Sequence, residues 1–236
     1  YFSAVTALTR DRGGVWVGLF AAIKLTPALF IVWFGWIRRW SSLRRAIAAL
    51  VVATLLGVLV AYEPTWDYFT RLMLDASRVG GRGSYQDVSL AGAVFRLGGP
   101  AWISYVLVVL VIIWAFRLAD TLVRQGGRGS AELAVCVIGL SSVLATPVSW
   151  AHHAIWIVPA SGLVLSSQLR LPKWWFWCWA MCLTPFVFRW PLIGDVLGMS
   201  WNLFLGTTTA LGLVGMMLLI QMASDTRDSS IAARGE

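Results

Sequence analysis

This sequence predicts an all-α fold, a polytopic transmembrane helical bundle, and three observations carry the prediction. Hydrophobic residues fill 58% of the 236 positions and charged residues only 13%, about half the roughly 25% of a soluble domain. Mean hydropathy is +0.74. There are 15 tryptophans, a residue that collects where membrane meets water. Such values exclude a soluble globular domain, a disordered chain and a coiled coil.

The elements follow in chain order. The chain opens on Tyr1 with Phe2, Ala4, Val5 and Leu8, which reads as the tail of a helix, so the chain is expected to be a C-terminal piece. Residues 13–37 are apolar but flanked by basic residues at both ends, Arg10 and Arg12 before and Arg38 and Arg39 after. One crossing would put a basic flank outside. A re-entrant pair of half-length helices, 13–23 and about 25–37, keeps both flanks inside. Pro27 favours the break, because its ring removes a donor and clashes with the preceding turn. Uncharged runs at 46–62, 101–116, 133–151, 154–169 and 174–188, and a last apolar run at about 202–223, are each long enough to cross or nearly cross a core of about 30 Å.

Arg and Lys set the orientation. With Arg38, Arg39, Arg44 and Arg45 in the cytoplasm, alternation leaves 13 basic residues inside and 5 outside, with Lys24 left over. That asymmetry places the 63–100 loop, the 149–153 turn and the 189–201 loop outside. Residues 1–223 are expected to form one transmembrane domain and 224–236 a cytoplasmic tail. The net charge of +8 is then a property of cytoplasmic loops, not of a nucleic-acid surface.

A few residues invite chemistry. Lys24 sits mid-segment, where a charge costs about 2.5–3.5 kcal/mol and faces a cavity or a partner. Snorkelling to an interface is the plainer alternative, made difficult by the apolar residues on both sides. The matching ligand is an anion such as a lipid phosphate. His152 and His153, the only histidines, lie at the outer junction of two apolar runs. Adjacent helical residues diverge by about 100°, so one is expected to face a site and the other to pack against Trp150 or Trp156. Two interfacial anchors are the alternative. Arg71, Arg78, Arg82 and Arg96 in the 63–100 loop suit phosphate or sugar, or plain solvated contacts. Asp67, Asp75, Asp87 and Asp195 are outside carboxylates without a context that marks a general base. Residues 89–97 suggest a short interfacial helix. Cys178 and Cys182 share a helix face and read as packing. No metal is indicated, since the histidines lack a third ligand at useful spacing.

Three stretches resemble one family. Gly18-Leu19-Phe20-Ala21-Ala22-Ile23-Lys24-Leu25-Thr26-Pro27, followed by Arg38-Arg39-Trp40, is similar to the lysine-proline segment of actinobacterial polyprenol-phosphate-mannose-dependent mannosyltransferases, glycosyltransferase family 87 of the GT-C superfamily. Pro147-Val148-Ser149-Trp150-Ala151-His152-His153 resembles that family's proline-serine-tryptophan-histidine-histidine segment. Ser89-Leu90-Ala91-Gly92, with Arg96, is similar to a loop that in many members reads Asn-Gln-Ser-Leu, although here Asp87-Val88 precede Ser89.

The resemblance implies a multi-pass plasma-membrane enzyme without a cofactor. Its partners would be a polyprenyl-phosphate-linked sugar donor, a glycolipid or glycan acceptor, and membrane lipid. It further implies Lys24 toward the donor phosphate, where the loop arginines Arg82 and Arg96 would join it, and His153, with His152, in catalysis. The general base would lie upstream of this chain, so the chain alone would be inactive. A transporter or flippase is the competing class, but those pair broken segments across two halves, and Pro147 and Pro185 have no lysine beside them.

Overall fold

The computed structural model describes residues 13–72, 75, 83–84, 86–126, 129–166, 174–187, 206–222 and 224–225, and these are helical apart from connections and one isolated β-bridge. The chain divides into two compact units, residues 1–80 and 81–236. The boundary falls inside the 63–100 loop. Arg10, Arg12, Arg78, Arg82, residues 1–9, the 189–201 loop and most of the tail lie outside the described residues.

In the first unit, α1 (Gly13–Ile23), α2 (Ala28–Trp36) and α3 (Trp40–Val60) follow one another closely. The sequence expected a break at Lys24–Pro27, and α1 ends just before it. Gly14 lies against Ser42 and Gly18 against Ala46, so close that a Cβ on either glycine would collide with the carbonyl oxygen. Small residues four apart on both helices let the backbones meet. The spacing is the same for both pairs, so α1 and α3 run in the same direction. A tight turn with Arg38 at φ 57° leads from α2 into α3, so α2 must run back, and α1–α2 is a hairpin. Phe30, Trp33 and Phe34 of α2 are buried. α3 has 21 residues, ~31 Å at 1.5 Å each, and its exposed surface carries Val51, Val52, Leu55, Leu56 and Leu59. α4 (Tyr62–Asp67) and a π-helical turn (Tyr68–Leu72) follow.

The second unit contains α5 (Leu90–Arg96), α6 (Ala101–Gln125), α7 (Ser130–Ala145), a 3₁₀ turn (Ala151–Trp156), α8 (Ile157–Ser166), α9 (Trp174–Val187) and α10 (Gly206–Met222). α5 realises the short helix expected over 89–97. Gly98 at φ 70° ends it, donating its N–H to Phe95 O while Gly99 N–H reaches Val94 O, a left-handed C-cap that suits glycine. α6 extends past the apolar run into Arg117–Gln125, while Trp102, Tyr105, Val109 and Leu110 stay exposed. α7 is enclosed: 12 of its 16 residues are buried. Its buried Ser141 and Ser142 hydroxyls return to Ile138 O at 2.9 Å and Gly139 O at 2.7 Å. Trp114 Nε1 donates to Gln221 Oε1 at 2.7 Å, tying α6 to α10. Gly212 and Gly215 of α10 approach Cys178 and Cys182 of α9, so both cysteines pack helix against helix.

Among the described residues, α3 and α6 are the two helices long and apolar enough to cross a membrane; the other apolar helices are shorter. Residues 133–151 were expected to be one span, but α7 stops at Ala145. Thr146 precedes Pro147 and is pushed to ψ 143°, as a residue before proline must be.

Candidate functional site

The stop at Thr146 shapes the second unit's polar centre. Residues 147–150 leave the helix and meet 87–88: Val88 N–H donates to Ser149 O at 2.7 Å, and Asp87 stands opposite Trp150 in an antiparallel bridge. Asp87 is 2% exposed. Its Oδ1 accepts the amide N–H of Ser89 at 3.1 Å and of Ser149 at 3.0 Å. Its buried Oδ2 lies against Gly92, where a Cβ would collide, and makes no hydrogen bond. Ser89 caps α5 by accepting Gly92 N–H at 2.9 Å, and its hydroxyl donates to Pro147 O at 3.4 Å. One carboxylate and one hydroxyl thus join the two segments that the resemblance singled out.

Ser149 hands the arrangement on to His153. Its Oγ stands 3.3 Å from Nδ1, and Trp150 N–H donates to the same nitrogen at 3.2 Å. An amide can only donate, so Nδ1 is the acceptor and the neutral ring carries its proton on Nε2. His153 is half-buried and His152 exposed. The two were expected to diverge, yet their rings touch edge to face with centroids 4.3 Å apart. The segment is 3₁₀, in which residues three apart eclipse, so Trp156 lies on the His153 side of the turn. The Trp156 indole presses on Gly139 of α7.

Arg96 leans into the same centre. Nη1 donates to Asp87 O at 2.7 Å and to Ser84 O at 2.9 Å, and Nε to Thr207 Oγ1 at 3.4 Å. Nη2 is buried without a hydrogen bond. Burial pushes the guanidinium below its ordinary value, and the Asp87 charge offsets part of that. Nη1 thus closes the loop on Ser84 and Asp87, while Nε ties it to α10.

Lys24 belongs to the first unit and is exposed at the hairpin tip. Its N–H still bonds Phe20 O at 2.9 Å, and Ala28 N–H reaches Leu25 O at 2.8 Å. Carrying the Gly14–Ser42 spacing onward sets Lys24 level with Val52, ~18 Å along α3 from Trp40. That depth is near the middle of a helix matched to the hydrocarbon core.

Sequence reasoning missed Asp87 and Ser149 as organisers of the site. A signal was present: an aspartate two residues ahead of a serine N-cap is a side-chain turn followed by a helix start. Among the described residues no cluster of three or more His, Cys, Asp or Glu could hold a metal ion.

Lipid-facing helices, a buried polar junction and a cation at a hairpin tip define the class, an all-helical protein of the membrane. The sequence profile of glycosyltransferase family 87 matches residues 2–147, a stretch that contains Lys24, Asp87 and Arg96 and stops before the histidines. The chain belongs to glycosyltransferase family 87. It is 36% identical over 154 residues to a polyprenol-phosphate-mannose-dependent alpha-(1-2)-phosphatidylinositol mannoside mannosyltransferase of Mycobacterium tuberculosis, covering 62% of this chain and 35% of the relative. A protein of the same description from Mycolicibacterium smegmatis is 32% identical over 173 residues, 69% of this chain and 39% of the relative. A phosphatidylinositol pentamannoside mannosyltransferase from the same organism is 31% identical over 167 residues, 70% of this chain and 41% of the relative. The matched part of the chain thus covers well under half the length of these relatives. No solved structure matches it.

Proposed function

We propose that this protein is a multi-pass enzyme of the plasma membrane that transfers mannose from a polyprenyl-phosphate donor to a phosphatidylinositol-mannoside-type glycolipid at the outer face. Family membership and the descriptions of the mycobacterial relatives support donor and acceptor alike. They give no support to a transporter. The observation that carries the reading is Lys24, a cation at the tip of a hairpin whose glycines lie against α3.

In the reaction, an acceptor hydroxyl oxygen attacks the anomeric carbon of the donor mannose. The bond from that carbon to the phosphate oxygen breaks, its electron pair leaves with the polyprenyl phosphate, and the acceptor proton passes to a base. Negative charge grows on the leaving phosphate. A fixed ammonium stabilises that charge most where water is scarce. His153 serves as donor through Nε2–H, orienting phosphate or acceptor. Asp87 holds the His153 segment instead of taking the proton, because its oxygens are sealed from the surface.

Transfer from labelled polyprenyl-phosphate-mannose in membranes tests the role of Lys24. Lys24→Ala in the intact protein is expected to lose about 10²-fold or more in turnover at equal expression. Lys24→Arg keeps the charge but not the geometry and retains part of the rate. Unchanged turnover and donor affinity in Lys24→Ala would overturn the assignment.

A further inference from the structure

A shallow cleft of about 490 Å³ lies beyond the end of α3, lined by Tyr62, Glu63, Pro64, Trp66, Asp67 and Arg71. Its side chains form two rows. Tyr62 and Trp66 are four apart on α4 and stack with ring centroids 6.3 Å apart at 17°. They remain 60% and 61% exposed. Beside them run Glu63, Asp67 and Arg71, again four apart, with Arg71 Nη1 3.4 Å from Asp67 Oδ1. The π-helical turn after Asp67, where Thr70 Oγ1 donates to Trp66 O at 2.7 Å, carries Arg71.

The rows suit a ligand with one apolar face and a rim of hydroxyls. An aromatic face is electron-rich, so it attracts the polarised C–H bonds on one side of a pyranose ring. Charged acceptors hydrogen-bond about twice as strongly as neutral ones, and two carboxylates beside the rings can take vicinal hydroxyls. A phosphate fits poorly, since two acids outnumber one arginine and leave the cleft net negative. A membrane-anchoring aromatic pair accounts for the rings but not for the carboxylates aligned with them.

We infer that this cleft binds a neutral pyranose unit of the acceptor glycan, on the outer side of the membrane from the Lys24 level. The inference rests on the proposed mannosyl transfer for the identity of the acceptor, while the binding itself does not need the reaction. Lys24 and the cleft then divide the substrates between them: phosphate at mid-depth beside α3, and glycan at the end of that helix.

Two measurements on the intact protein in lipid nanodiscs test the cleft. In the first, saturation-transfer NMR follows an α-(1-2)-linked mannose disaccharide with no donor present. Wild type and Lys24→Ala are expected to transfer saturation to the sugar, and Trp66→Ala is not. In the second, Trp66→Ala raises the acceptor KM about 10-fold, the factor produced by ~1.4 kcal/mol of lost stacking, with donor KM unchanged. Trp66→Phe restores most of that affinity, and Glu63→Gln and Asp67→Asn fall between. Trp66 is largely exposed, so truncation leaves folding intact. Equal sugar signals in wild type and Trp66→Ala, or donor and acceptor KM rising together, would overturn the cleft. Sugar binding by a wild-type protein that moves no mannose would instead reject the transfer reading and leave the cleft standing.

Discussion

A single buried carboxylate holds two distant stretches of the second unit together. Asp87 Oδ1 satisfies the amides of Ser89 and Ser149, and its charge lies near the half-buried Arg96 guanidinium. Asp87→Ala orphans both amides, at about 1–3 kcal/mol each, and leaves the guanidinium without its nearby negative charge. Its thermal midpoint in detergent should fall clearly, and transfer should fall with it. Asp87→Asn keeps the Oδ1 acceptor and should hold more of both; equal destabilisation by Asn and Ala would show that charge, not the hydrogen bonds, is what matters. The histidines should also separate. His153 is locked through Nδ1, whereas His152 is exposed, so His153→Ala is expected to cost about 10²-fold in rate and His152→Ala much less. Because their rings touch, the double variant should be non-additive. Equal, small losses in both single variants would return the pair to interfacial anchors.

Helix boundaries decide where chemistry can sit. The 13–37 segment is a hairpin because Pro27 interrupts it and because Gly14 and Gly18 allow α1 to lie against α3. Gly18→Ala inserts a methyl where the Ala46 carbonyl stands, so overpacking of about 1–3 kcal/mol is expected. Gly162→Ala in α8 is the control of opposite sign. Its Cβ would meet nothing within 4 Å, and alanine is the better helix former by about 1 kcal/mol. Thermal unfolding of both variants in one detergent reads the contrast, and a stabilising Gly18→Ala would contradict the close approach. At the other site the decisive boundary is Thr146. The proline that shortens α7 frees the extended stretch that Asp87 holds and that leads into His153.

For the whole molecule the test is topology. α3 is long and apolar enough to cross once, and on that topology cysteines at positions 40 and 62 should react with an impermeant thiol reagent from opposite sides of the membrane. A cysteine at 36 should react from the same side as 40. The native Cys136, Cys178 and Cys182 are buried, which keeps the background low. Reaction of 36 and 40 from opposite sides would reject the hairpin. Burial is distributed as a membrane requires: the enclosed α7 carries serines that return to their own carbonyls, while α3 and α6 turn Val, Leu, Ile and Trp outward. The outward surface is apolar because lipid, not water, surrounds it.

Apolar run length, basic flanks and Pro27 were enough, read along the chain, to determine the helical class, the hairpin and the unusual position of Lys24. Those signals are local: each depends on residues within a few turns of one another. The lysine-proline and histidine segments also carried the family resemblance. Only the tertiary structure decided that Asp87 and Ser149 organise the histidine segment and that Ser89 reaches across to Pro147. Those facts join residues about 60 apart in the chain. A carboxylate in a loop reads as solvated until the fold supplies the partners that make its burial tolerable.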